Sequence, residues 1–138
     1  MTTSMVLDAS TTLSWAFNNE SDQQSDDIQN RLVSGHAWVP SLWFYEVANG
    51  LLAGLRRDRI SVADIAAFTT DLAIFDIRLA TPAPDVLELV AQADVSRLSA
   101  YDTAYLQLAR SMNIPLATRD SALASAARSA GVTLLGTW

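Results

Sequence analysis

The run Ser4-Met5-Val6-Leu7-Asp8-Ala9-Ser10 decides how the rest of the chain reads. It is a short apolar segment that stops on a carboxylate, the pattern of a buried strand whose end carries chemistry. A strand apolar on both faces belongs to a parallel sheet covered by helices. Further short strands are expected at residues 36–39, ended by Pro40, at 76–79, at 116–118 and at 133–135. Helical periodicity fills the intervals. Residues 11–17 read as a helix start with Ser10 as N-cap, and residues 21–33 as an acid-led helix stopped by Gly35. Residues 41–57 carry a stripe of Leu42, Val47, Leu51, Leu52 and Leu55. Ser61 caps a helix reaching about residue 75, Pro84 suits the first turn of the next, and Ser99 caps one reaching about residue 112. Residues 121–130 form the last helix, ended by Gly131. Alternating strands and helices predict an α/β fold with a central parallel sheet covered on both faces. The irregularity is the pair of successive helices meeting near residues 57–61.

The 138 residues suit a single domain, 1–138, with a real core. Half the chain is hydrophobic and 17% is charged, which excludes a disordered chain. There is no cysteine, hence neither disulfide nor thiolate metal site. No signal-peptide pattern and no membrane-length apolar run is present, so a cytoplasmic location and no membrane association are expected. Net charge is −6, and all nine basic residues are arginine. That balance argues against broad electrostatic binding of nucleic acid and leaves room for a local patch. Arg56, Arg57 and Arg59 cluster where a helix should end, which equally suits the helix dipole.

Four carboxylates stand at element boundaries: Asp8, Glu46, Asp102 and Asp120. In open parallel α/β sheets, sites form beyond the carboxyl ends of the strands. Asp8 and Asp120 fall at such ends; Asp102 sits in the first turn of its helix and Glu46 within its own. Converging there, they would suit a hard divalent cation such as Mg²⁺, which prefers oxygen ligands, and so metal-assisted phosphoester chemistry. Each of three also has a structural role open to it. Asp8 can turn the chain into its first helix, Asp120 can cap the last, and Asp102 lies three residues after Ser99, as in a capping box. Glu46 differs, since nothing basic stands at helical spacing to pair with it.

These motifs together resemble a PIN domain. The resemblance rests on Val6-Leu7-Asp8-Ala9-Ser10, on Pro40-Ser41-Leu42 leading into Glu46-Val47-Ala48-Asn49, and on Ser99-Ala100-Tyr101-Asp102-Thr103-Ala104-Tyr105. Leu116-Ala117-Thr118-Arg119-Asp120-Ser121 completes it, so it spans nearly the whole chain. In size the chain is most similar to VapC-type toxins of bacterial toxin–antitoxin pairs. The resemblance implies a three-layer α/β/α fold and Mg²⁺- or Mn²⁺-dependent endoribonuclease activity. It matches Asp8, Glu46, Asp102 and Asp120 to the family's acidic quartet, as catalytic and metal-binding residues. Ser10, Asn49 and Thr118 fall where polar side chains would orient those acids. Also implied are a cognate antitoxin and a homodimer.

The expected mechanism is in-line attack of a metal-activated water on an RNA phosphodiester, leaving a 5′-phosphate. Arg97 and Arg119 are candidates for phosphate contact, or else surface ion-pair partners. Trp43, Phe44, Phe68 and Leu72 could line a groove for an amphipathic antitoxin segment, or pack into the chain's own core. Two alternatives stand beside this reading. One is a non-catalytic PIN-like module that binds RNA or protein. The other is an aspartyl-phosphate phosphotransfer enzyme with Asp8 as nucleophile, poorly served because Ser10 stands where a second Asp is wanted and no lysine exists.

Overall fold

A computed structural model describes residues 3–17, 22–81 and 83–136. Four strands, β1 (Ser4–Leu7), β2 (His36–Val39), β3 (Ile77–Leu79) and β4 (Leu116–Ala117), lie parallel in the order β3-β2-β1-β4. The expected fifth strand is reduced to one parallel bridge, Leu116 to Leu134. Seven helices connect the strands: α1 (Ala9–Ser14), α2 (Gln23–Val33), α3 (Leu42–Arg56), α4 (Val62–Leu72), α5 (Val86–Ser96), α6 (Ala100–Met112) and α7 (Ser121–Ser129). The result is a three-layer α/β/α arrangement.

Strand order fixes where a site can form. From β1 the chain steps outward to β2 and β3, then returns past both to β4 on the other side of β1. Right-handed crossovers place the helices of the outward steps on one face and α5 and α6 on the other. The crevice between β1 and β4 is therefore the switch point of the sheet. Backbone bonds zip these strands together: the Val6 N–H donates to the Pro115 carbonyl (2.8 Å) and the Asp8 N–H to the Ala117 carbonyl (3.1 Å).

The core is built on the inner strands. Met5, Val6, Leu7, Ala37, Val39, Leu116 and Ala117 are wholly buried. Helix α3 presents Trp43, Val47, Leu51 and Gly54 inward, a stripe of period 3.6. This corrects the sequence-derived stripe, since Leu52 faces solvent and Leu42 is half-buried; the bulkier Trp43 takes the inner place, its indole N–H donating to the Thr12 hydroxyl (3.1 Å).

Several helix ends differ from expectation. Asp8, not Ser10, caps α1, because pairing of β1 with β4 ends the strand at Leu7 and starts the helix at Ala9. Asp22 caps α2 with a reciprocal bond to Ser25; Ser21 lies outside the described residues. Asp85 caps α5, so Pro84 precedes the helix instead of opening it. Gly35 does follow α2, but for a close approach: a Cβ there would sit 2.3 Å from the Thr3 carbonyl oxygen. Ser61 and Ser99 cap α4 and α6 as expected, and Gly131 ends the last helix with φ +76°. Among the described residues, no helix is long and apolar enough to cross a membrane.

Candidate active site

Asp8 is the anchor of the switch point. It is 4% exposed and its carboxylate is saturated with donors. Oδ1 accepts from the Ser10 hydroxyl (2.8 Å) and the Thr11 N–H (3.0 Å); Oδ2 accepts from Ser10 (2.9 Å) and from the Thr118 hydroxyl. The same hydroxyls bind the loop after β4. Thr118 Oγ1 accepts the Asp120 N–H (3.0 Å), and Ser10 Oγ accepts the Arg119 N–H (3.0 Å). Two strand ends are thus tied through one carboxylate. Burial nonetheless outweighs all four bonds and pushes the Asp8 pKa up to about 6.

The other acids approach from three helices. Asp120 caps α7 through Oδ1, which accepts the Leu123 N–H (2.8 Å). The structural role open to Asp120 is thus filled. Asp102 lies in the first turn of α6, where its N–H donates to the Ser99 hydroxyl (3.1 Å). Its pKa is raised, first by burial and then by the negative charges of Asp120 and Glu46, against a smaller opposing pull from Ser99. Three acids from three elements hence share one field, and both charges acting on Asp102 are negative.

Glu46 has a partner that sequence spacing does not reveal. The Tyr105 hydroxyl donates to Glu46 Oε1 at 2.6 Å across 59 residues of chain. Tyr105 is 1% exposed and sits three residues after Asp102, on the same face of α6. Burial, the bond to Glu46, and the charges of Glu46 and Asp8 all raise its pKa, so it stays a neutral donor. The only available signal was its spacing from Asp102.

The remaining sequence candidates separate. Ser10 and Thr118 touch Asp8 directly. Asn49 is exposed one turn beyond Glu46, with no hydrogen bond to the acids among the described residues. Arg119 pairs with Asp22 (3.3 Å), while Arg97 is exposed at the left-handed C-cap of α5, two residues before Ser99. Arg56 and Arg57 are at the far end of α3, about 15 Å of helix rise from Glu46. Arg59 lies over the Phe17 ring (4.7 Å).

Carboxylate and hydroxyl oxygens without sulfur or imidazole are a donor set that fits a hard divalent cation. Geometrically the fit is incomplete. Among the described residues, no three acidic or histidine side chains already surround one point at ligand spacing. The acids share a charge field instead of a closed cage.

A parallel α/β sheet with acids from β1 and three helices over its switch point defines a class of acidic-site α/β proteins. The chain belongs to the PIN domain family, whose model matches residues 5–129 and so covers all four acids. PIN domains are commonly nucleases and usually bind divalent metals. Among solved structures, the crystal structure of PAE2754 from Pyrobaculum aerophilum is similar, with a TM-score of 0.71. That likeness covers 98% of this chain and 85% of the other at 22% identity, and it bears on the fold. No curated protein sequence matches the chain.

Proposed function

We propose that this chain is a Mg²⁺- or Mn²⁺-dependent endoribonuclease, the toxin of a VapC-type toxin–antitoxin pair acting in the cytoplasm. The observation that carries this reading is the field at Asp102, where the charges of Asp120 and Glu46 both act, next to an Asp8 whose partner Thr118 also holds the Asp120 amide. Such a field disfavours ionised carboxylates until a cation balances it. Asp8, Asp102 and Asp120 would be the principal ligands of the metal, with Glu46 as the fourth. When bound, the ion supplies an activated water and charge neutralisation at the phosphate.

The chain's own groups do the rest. Ser10, Thr11 and Thr118 lock the Asp8 carboxylate in one orientation. Tyr105 occupies Oε1 of Glu46, which would leave Oε2 for the metal or a water held by it. Arg97, exposed beside the start of α6, would be the arginine to meet a phosphate; Arg119 would first have to leave Asp22. The antitoxin reading is supported by an apolar groove of about 430 Å³ that includes Trp43, Phe44, Leu72 and Phe75. Phe68 lies outside that groove. Homodimerisation draws support from the open apolar face of α5.

RNA incubated with purified protein and Mn²⁺ is expected to be cut, EDTA should abolish cutting, and mass spectrometry should find 5′-phosphate ends. Ends bearing a 2′,3′-cyclic phosphate would contradict water attack, since that product requires the ribose hydroxyl as nucleophile. The lack of a closed ligand cage favours, as second reading, a PIN-like binding module. That reading requires calorimetry to find no Mn²⁺ uptake.

A further inference from the structure

Tyr105 is a buried polar group in contact with the site, and nothing in the acidic quartet accounts for it. Its ring lies within the core cluster, and its hydroxyl reaches out of that cluster to Glu46 Oε1. One hydroxyl therefore joins α6 to α3 across 59 residues of chain. Glu46 is itself only half-buried on α3 and has no local basic partner. Left alone, a glutamate with three side-chain torsions would spread over many rotamers.

We infer that Tyr105 is the positioning residue of the site, fixing one oxygen of Glu46 so that the other faces the space shared with Asp8 and Asp102. The inference rests on the metallonuclease reading and adds to it a residue that touches neither metal nor RNA. It acts through Glu46 alone. Because α6 also carries Asp102 three residues earlier, the bond sets the Glu46 carboxylate relative to Asp102 as well. Support of this kind, one shell removed from a metal ligand, typically alters metal affinity by about 10–100-fold.

A double-mutant cycle tests it, using Tyr105→Phe and Glu46→Ala singly and together in the full chain. Mn²⁺ affinity is read by isothermal titration calorimetry and folding by circular dichroism melting. Tyr105→Phe keeps the ring and so the core. It should weaken Mn²⁺ binding about tenfold in the parent protein and lower kcat with KM for RNA unchanged. In the Glu46→Ala background it should change Mn²⁺ affinity not at all. Equal losses in both backgrounds, or no loss in the parent, would overturn the role of Tyr105 while leaving the nuclease reading intact. A parent protein that takes up no Mn²⁺ would overturn both. A fall in melting temperature shared by both backgrounds, with Mn²⁺ affinity unmoved, would assign Tyr105 to the core.

Discussion

Helices α5 and α6 pack on each other but meet solvent in opposite ways. Helix α6 buries Thr103, Ala104, Tyr105, Leu106 and Ala109. Helix α5 buries no residue and leaves Val86, Leu87, Val90 and Val95 between 59% and 84% exposed. The first is clamped against β1 and β4, and from that clamped helix Asp102 and Tyr105 reach the site. The second is held by its Asp85 cap and chiefly by α6, and its apolar face is exposed. Rigid support and available surface are thus divided between neighbouring helices, which is how a site can stay ordered while an adjacent face remains open for a partner.

The contrast can be broken most sharply by truncating one residue on each helix. Leu106→Ala, on α6, should cost about 2–5 kcal/mol in urea unfolding, through lost burial and the cavity left behind. Leu87→Ala, on α5, should stay within about 0.5 kcal/mol. Similar losses at both would erase the distinction.

A second effect, on the order of 3 kcal/mol, concerns the carboxylate held at the same clamped edge. The pKa of Asp8 is near 6 in the fold against an ordinary 3.8, so the folded state prefers this group protonated. Its contribution is complete below pH 3.8 and is lost as pH rises through 6. In EDTA, the Asp8→Asn protein should lack that loss and melt above the parent at pH 7.5. Parallel pH profiles of melting temperature for the two proteins would contradict it.

The smallest effect sharpens the comparison at the helix starts. Ser99→Ala removes the cap of α6 and Ser61→Ala that of α4, and each should cost about 1 kcal/mol. Hydrogen exchange separates them: opening should remain local for exposed α4 and spread into the core for α6. The reverse pattern would place the rigid half elsewhere.

Much of this was legible in the sequence because it is written locally. Short apolar runs ending at Asp8 and Pro40, serines at positions 61 and 99, and Gly131 mark element boundaries by neighbours alone. What was misread depends on distant chain. Ser10 and Asp8 can both cap a helix, and only the register of β1 against β4 decides between them. Glu46 was read correctly as lacking a local partner; its real one is Tyr105, brought in by the packing of α6. Arg119 pairs with Asp22, 97 positions earlier in the numbering, which no spacing rule anticipates. The four acids were named from their positions, but the division between a saturated Asp8 and an Asp102 crowded by two negative charges needed coordinates.

That division carries the central proposal, that an acidic edge which lowers the stability of the metal-free fold would serve a metal-dependent reaction. One variant tests it. Asp8→Asn, measured at pH 7.5, should melt above the parent in EDTA and lose RNA cleavage in Mn²⁺ by more than about 100-fold. A variant that still cuts RNA at the parental rate would contradict the account.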